Sequence, residues 1–219
     1  FYGCTMDCVF CQNWDISHEY DLKSIQRGRR VSPIDLARTY YNLAKQHVRN
    51  INFVGGDPTP VLHVILESFL HAEVDLPMLW NSNMYLSELG MKLIVDVFDI
   101  WLPDMKYGNN ECARKYSKIR NYWDVIKRNM KWIEVTGTSE YIIRHLVMPG
   151  HVDCCSIPIL DWIKKELEKP LVNIMAQYHP DYKVLRGQYP ELYKRPTHNE
   201  MYKVKSYADK LGLYWKSVS

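Results

Sequence analysis

Three of the chain's six cysteines fall within eight positions, in the run Cys4-Thr5-Met6-Asp7-Cys8-Val9-Phe10-Cys11. This C-x3-C-x2-C spacing lets three sulfurs face one point if the loop wraps. Disulfide stapling is the weaker use for them, because 219 residues can bury a core without staples and no secretory signal opens the chain. A tight cysteine cluster in a reducing compartment reads as a metal site. Structural zinc takes four protein ligands. Cys112 is remote, and His18 is the close substitute, so a site of three cysteines and one histidine is one reading. Packing thiols that meet by coincidence are another. The third is an iron–sulfur cubane in which three cysteines leave one iron open to a ligand.

More polar residues stand where apolar runs stop. Gly55-Gly56-Asp57 follows Ile51-Asn52-Phe53-Val54. Its glycines would let a ligand approach the backbone, or make a plain strand-to-helix turn. Asn81-Ser82-Asn83 follows Pro77 to Trp80 with short side chains suited to ribose hydroxyls or a carboxylate, and equally to a turn. Asp104 and Lys106 lie two apart after Trp101-Leu102-Pro103 and so share a face. They could pair at the surface or grip a zwitterion in a cleft. Arg144 and His145 interrupt the apolar run from Ile142 to Val147, and strand alternation turns one of them inward. The alternation by itself leaves open which of the two turns inward. Gln177 stands just beyond the run Leu171 to Met175.

These groups need elements to position them. Apolar runs at 51–54, 77–80, 98–102, 141–148 and 171–175 predict strands, and Phe1 to Gly3 predicts the end of one more. Between them, Ser32-Pro33-Ile34-Asp35 opens a helix whose apolar stripe runs Ile34, Ala37, Tyr41, Ala44 and Val48. Further helices are expected from Thr59, from Ser87, over 122–135 and over 157–167. A last one begins at the capping box Thr197-His198-Asn199-Glu200 and ends near Gly212. About six β/α units result, and such alternation predicts parallel strands with right-handed crossovers. They could close as a barrel or open as a doubly wound sheet. Both place ligands at the C-terminal ends of the strands, where the polar groups above fall. With 47% hydrophobic and 24% charged residues the chain is globular, and a net charge of +3 gives no ground for a nucleic-acid partner. No apolar stretch is long enough to span a membrane. The missing initiator Met predicts a truncated N-terminus.

With Phe10 in its aromatic position, the cysteine run resembles the hallmark of the radical S-adenosylmethionine (SAM) superfamily, C-x3-C-x-aromatic-C. The runs Cys11-Gln12-Asn13-Trp14-Asp15-Ile16-Ser17 and Phe53-Val54-Gly55-Gly56-Asp57-Pro58-Thr59-Pro60 resemble one branch, the pyruvate formate-lyase activating enzyme-like proteins. So do Trp80-Asn81-Ser82-Asn83 and Pro103-Asp104-Met105-Lys106-Tyr107. The resemblance implies an α/β fold, a partial (β/α)6 TIM-like barrel whose first strand is truncated. It implies one domain over 1–219, with a barrel core over about 1–176 and a tyrosine-rich segment and helix over 177–219. It implies a [4Fe–4S] cluster on Cys4, Cys8 and Cys11. SAM would be held by Phe10, Asn13, Gly55, Gly56, Asp57, Asn81, Ser82, Asn83, Asp104, Lys106, Arg144 and Gln177. Asp57 stands where the family usually has Glu, a methylene longer.

No catalytic residue is expected beyond the cluster and SAM. The implied activity is reductive cleavage of SAM to a 5′-deoxyadenosyl radical, which takes hydrogen from a backbone glycine of a glycyl-radical enzyme. The implied electron donor is a protein such as flavodoxin or ferredoxin, and the setting cytoplasmic. A radical SAM enzyme acting on a small molecule or RNA is the alternative within catalysis, and a non-catalytic zinc-binding interaction module the alternative outside it. Three features stand apart. Arg27-Gly28-Arg29-Arg30 reads as a solvated basic loop or a phosphate site. His151, Cys154 and Cys155 read as helix-start packing or a second metal or redox site. The tyrosines from Tyr178 to Tyr193, with Tyr202, Tyr207 and Tyr214, could cover the barrel mouth or dock a partner.

Overall fold

Short apolar runs separated by capped helices have one economical arrangement, in which parallel strands are buried under their own crossovers. A computed structural model shows it, describing residues 1–18, 28–136, 140–168 and 170–217. The strands are β1 (Ile51–Phe53), β2 (Met78–Ser82), β3 (Ile100–Pro103), β4 (Glu140–Leu146), β5 (Leu171–Met175) and β6 (Tyr214–Lys216). The helices are α1 (Trp14–Ser17), α2 (Pro33–Ala44), α3 (Leu62–Phe69), α4 (Glu88–Ile94), α5 (Asn110–Ser117), α6 (Tyr122–Thr136), α7 (Ile157–Glu166) and α8 (His198–Lys210). Each strand pairs in parallel with the next, in the order β1-β2-β3-β4-β5-β6. A doubly wound sheet reverses its strand order at a switch point, and this one never does. The fold is therefore the partial (β/α)6 barrel.

Helix starts follow the chemistry of their caps. Ser32 Oγ accepts the Asp35 N–H at 3.2 Å, Ser87 Oγ that of Gly90 at 3.1 Å, and Thr197 and Glu200 form a reciprocal capping box. The core is aromatic where the strands meet. Phe98 lies 4.8 Å from the Trp80 ring, 5.2 Å from Phe53 and 5.9 Å from Trp101, mostly edge to face.

Four expectations need correction. The stripe on α2 is misplaced: Ala37 and Tyr40 are buried, whereas Ile34 and Tyr41 are exposed. Tyr40 wins because its hydroxyl reaches Ser68 Oγ at 2.8 Å while its ring packs on Phe53. The polar stretch between the run 98–102 and the helix over 122–135, where the sequence pattern predicts no element, holds α5, capped by Asn109, whose side chain accepts the Cys112 N–H at 2.8 Å. The second strand runs on through Asn81 and Ser82. Finally, β6 follows Gly212 and pairs with β5, an element too short to show periodicity. The expected strand end at Phe1 to Gly3 is a parallel pairing onto the end of β1: the Phe1 ammonium donates to Val54 O, and Phe1 O accepts the Gly56 N–H, each at 2.9 Å.

His145, on β4, is fully buried. Its Nδ1 lies 2.7 Å from Met105 O and its Nε2 2.8 Å from Ser156 Oγ. A carbonyl can only accept, so Nδ1 carries the proton of the neutral ring and Nε2 accepts from the serine. Burial pushes its pKa from 6.5 down to about 4. The unfolded chain therefore takes up this proton first on acidification. His145 contributes full stability above about pH 6.5 and loses about 3 kcal/mol as pH falls toward 4. Urea unfolding of wild type and His145→Gln across that range should show a shallower pH dependence in the variant; parallel curves would remove His145 from the acid response.

Candidate cofactor-binding site

The cysteine loop carries little regular structure, so its geometry is imposed from outside. Asp7 N–H donates to Ser117 O at 3.0 Å and Val9 N–H to Tyr116 O at 2.8 Å, both carbonyls belonging to the last turn of α5. Ser117 Oγ also lies 3.0 Å from Cys8 Sγ and 2.6 Å from the Tyr107 hydroxyl. Cys4 Sγ accepts from Met6 N–H at 3.4 Å and from Asn83 Nδ2 at 3.3 Å. The tyrosine-rich segment covers the other side. Tyr178 meets Phe10 edge-on at 5.6 Å, Tyr182 stacks on Trp14 at 5.7 Å, and Lys183 pairs with Asp7 at 2.7 Å. Burial, then the Asp57 charge, pushes the Cys4 thiol up to about 12, and burial pushes Cys8 up to about 11.

Cys4, Cys8 and Cys11 line one open pocket with Phe10, Gln12 and Asn13, at the C-terminal ends of the strands. Gly55, Gly56 and Asp57 form a second wall. A Cβ on Gly55 would sit 2.2 Å from the Phe1 nitrogen, and one on Gly56 2.3 Å from Gly3 O. The close approach that demands glycine is therefore made by the chain itself. Asp57 is buried, and its carboxylate accepts from Thr59 N–H (2.9 Å), Ser82 Oγ (3.0 Å) and Asn83 N–H (2.9 Å). Burial outweighs these bonds and holds its carboxyl above the usual range. Asp57 thus braces the end of β1 against the end of β2, a side-chain role the sequence left open. Ser82 and Asn83 line the pocket but spend their polar atoms internally, on Asp57, Met84 N–H, Thr5, Tyr85 N–H and Cys4. Asn81 lines the same wall.

The third wall is charged. Asp104 sits between Lys106 Nζ, in close contact, and Arg144 Nη2 at 2.6 Å. The three side chains are 16%, 16% and 25% exposed. Burial alone would raise the Asp104 carboxyl, but the Lys106 and Arg144 charges overcome it and hold it low. Lys106 N–H donates to the buried Tyr122 hydroxyl at 2.8 Å, which fixes the turn. Strand alternation has settled the Arg144 and His145 pair, with Arg144 lining the pocket and His145 in the core. Arg144 Nε is buried and has no hydrogen-bond partner among the described residues. Gln177 lines the pocket too.

Every residue singled out for cluster or SAM thus lies on this one pocket. Val54, Leu146 and Met175 line it as well and went unnoticed. Period-two alternation could have found two of them, since Leu146 shares a face with Arg144 and Met175 with Gln177. His18 is elsewhere, its ring 6.3 Å from that of Tyr182. Arg29 and Arg30 are exposed and away from the pocket, and Arg27 lies outside the described residues. Tyr178 and Tyr182 are buried against the cysteine loop, whereas Tyr193, Tyr202 and Tyr214 are exposed.

The residues fit the implied cofactors. Tetrahedral zinc with bonds of about 2.3 Å holds its sulfurs about 3.8 Å apart. Among the described residues, three candidate ligand atoms come within 4.8 Å of one another at Cys112, Cys154 and Cys155, and the pocket thiols are more widely spread. A cubane attaches each cysteine to a different iron and needs that spread. The orphaned Arg144 donor and the net positive charge of its triad suit a ligand carboxylate.

Comparison with known proteins agrees. The Radical SAM superfamily model matches residues 1–163. The chain is 45% identical over 214 residues to the uncharacterized protein MJ0674 of Methanocaldococcus jannaschii, covering 97% of this chain and 62% of that relative. Streptococcus suis SuiB bound to S-adenosylmethionine is similar in fold, with a TM-score of 0.65 at 14% identity over 100% of this chain and 48% of SuiB. A domain of pyruvate-formate lyase-activating enzyme from Bacteroides vulgatus gives 0.60 at 11% identity, over 78% of this chain and 100% of that one. A radical SAM methyltransferase from Sphaerobacter thermophilus gives 0.64 at 13%, over 99% of this chain and 63% of that one. A superfamily sequence match over most of the chain, the fold and the three-cysteine pocket agree: the chain belongs to the radical SAM superfamily, whose cofactors are a [4Fe–4S] cluster and SAM.

Proposed function

We propose that this radical SAM protein abstracts a hydrogen atom from a backbone glycine of a partner polypeptide, a glycyl-radical enzyme. When bound, the cluster and SAM supply reductive cleavage of SAM and a radical able to take that atom. The chain's own residues position and shield. Cys4, Cys8 and Cys11 would ligate the cluster. Arg144 would turn its unpartnered Nε–H and the rest of its fork toward the SAM carboxylate, with Asp104 fixing the guanidinium in place. The carbonyls of the Gly55-Gly56 wall would accept from the SAM ammonium, and Asn13, Asn81 and Gln177 offer amides to its ribose and adenine. Phe10, Leu146 and Met175 would keep water from the reacting region.

The observation that carries this reading is the charged wall: Asp104, Lys106 and Arg144 stand beside the three thiols at the mouth of an incomplete barrel. The pocket is open at the C-terminal ends of the strands, which gives a loop a way in. Glycine suits such entry, because it lets the backbone approach without a side-chain clash. Two proteins of similar fold point to polypeptide substrates: the activating-enzyme domain, and SuiB as seen bound to the precursor peptide SuiA. An electron donor of the flavodoxin or ferredoxin kind completes the scheme.

Anaerobically reconstituted protein should show the broad visible absorption of a cysteine-ligated cluster, and Cys4→Ala, Cys8→Ala or Cys11→Ala should abolish or strongly weaken it. A Cys4, Cys8, Cys11 triple-Ala variant that reconstitutes normally would place the cluster elsewhere. Arg144→Lys keeps the charge and loses the fork, so SAM should bind about tenfold or more weakly by equilibrium dialysis, about 1.4 kcal/mol. Unchanged affinity would take Arg144 out of the site. Reduced protein mixed with SAM should release methionine and 5′-deoxyadenosine. With candidate glycyl-radical enzymes from the same genome added, electron paramagnetic resonance should show a glycyl doublet in one of them. SAM cleavage without any such doublet would sink the activating role and leave a small-molecule or RNA substrate.

A further inference from the structure

Near the start of α5, at the other end from the turn that holds the cysteine loop, a second set of thiols meets. The Sγ atoms of Cys112, Cys154 and Cys155 all lie within 4.8 Å of one another. Cys112 Sγ is 3.9 Å from Cys154 Sγ, and Cys154 Sγ is 3.9 Å from Cys155 Sγ. Those are not disulfide distances, since a bonded pair sits about 2.05 Å apart. They match the edge, about 3.8 Å, of a tetrahedron built on zinc–sulfur bonds of about 2.3 Å.

Neighbouring residues seldom aim two side chains at one point. Here the backbone makes the exception. Val152–Ser156 is a single π-helical turn, in which Ser156 N–H reaches back five residues to His151 O at 3.3 Å. Such turns are rare and concentrate at functional sites. The segment before α5 is fitted to this turn. A Cβ on Gly108 would lie 2.6 Å from Cys155 O and 3.1 Å from Cys154 O. Asn109 Nδ2 donates to Cys154 O at 2.7 Å and also faces Cys112 Sγ at 3.4 Å and Cys155 Sγ at 3.9 Å. An amide donor aimed at two sulfurs is the kind of partner that orients ligating groups around a metal.

We propose that Cys112, Cys154 and Cys155 bind one zinc ion through three thiolates, with the fourth position taken by an exchangeable solvent ligand. His151, just before the turn, spends Nδ1 on Pro149 O at 2.7 Å and Nε2 on the Tyr116 hydroxyl at 3.0 Å, and the exposed Asp153 pairs with Lys203 at 2.5 Å. Cys154 is exposed and Cys155 buried, so the open position faces water. Each thiol releases its proton to solvent as its zinc–sulfur bond forms, and no electron moves. The ion ties the start of α5 to the turn that leads into α7. Ser117, five residues along α5 from Cys112 and about 7.5 Å up its axis, holds Cys8 at the other end. The zinc therefore braces the helix on which the first cysteine loop rests. This site does not depend on the substrate proposed above.

The test uses the full chain with Cys4, Cys8 and Cys11 all changed to Ser, reduced and kept anaerobic. Titrated with cobalt(II) alone, it should take up one ion per chain with sulfur-to-cobalt charge-transfer absorption and tetrahedral d–d bands, and zinc should displace that ion. Adding Cys112→Ser or Cys155→Ser should weaken zinc binding by more than about 100-fold, beyond the usual loss of an outer partner, and Asn109→Ala by about tenfold. A second measurement needs no substitution: in the unmutated reduced chain, zinc should protect Cys112, Cys154 and Cys155 from alkylation, read residue by residue by mass spectrometry. Octahedral cobalt without charge transfer, uptake indifferent to Cys112→Ser, absence of zinc protection at these residues, or a Cys112–Cys154 disulfide in protein isolated without air would each overturn the proposal. So would preferential assembly of an iron–sulfur cluster on these thiols when iron and sulfide compete with zinc.

Discussion

Two leftover carbonyls at the end of α5 hold the loop on which the whole pocket depends. A helix ends with acceptors it cannot fill, and a tight loop of thiols carries donors it cannot fill. Here each supplies the other's need, through Asp7 N–H on Ser117 O and Val9 N–H on Tyr116 O. Lys118, in the left-handed region at φ 57°, turns the chain away and ends the helix there. Without this pairing, burying the loop would leave N–H groups unsatisfied at about 1–3 kcal/mol each. The strand ends add no comparable grip on residues 7 to 9. What they supply is the opposite wall, with Asp57 as the brace between β1 and β2.

The electrostatics of the pocket follow from what is kept out of water. Asp104 has two cations for neighbours, so the triad carries one positive charge in excess at low exposure. A buried excess charge is costly unless an anion answers it. The nearby thiols do not answer it while protonated, and burial favours their protons. Release of those protons to solvent as thiolates bind iron, or arrival of a ligand carboxylate, would each supply negative charge where the protein has left room for it. Ligand and cluster are thus welcomed by the same imbalance.

The sequence made the site more legible than the fold around it. Cysteine spacing is read without knowing any contact, and polar residues at the ends of apolar runs lie at strand ends in a parallel sheet whatever its closure. Period-two alternation separated Arg144 from His145 correctly. What stayed hidden was tertiary. In α5 the buried residues are Ala113, Tyr116 and Ser117, too few and too mixed to stand out in Asn110-Glu111-Cys112-Ala113-Arg114-Lys115-Tyr116-Ser117. Asp57 looked like a shortened Glu because its three partners come from residues two to twenty-six positions away. The glycine pair read as room for a ligand, whereas the Phe1 and Gly3 backbone fills the space directly against it. Packing and a metal site stayed open alternatives for Cys154 and Cys155 because a regular helix or strand would splay them, and nothing in their types announces a π turn.

The contact between Lys183 and Asp7 spans 176 residues. Beside it, Val184 N–H donates to Val9 O at 3.2 Å, and Tyr178 and Tyr182 pack on Phe10 and Trp14. The cysteine loop is therefore finished by a segment some 176 residues further along the chain. On a ribosome making chain from the N-terminus, the thiols emerge long before the tyrosines that cover them. For that interval they are exposed to oxidation and to stray metal, and loop closure over such a separation is slow. A chain halted before residue 178 therefore lacks every one of these contacts over Cys4, Cys8 and Cys11.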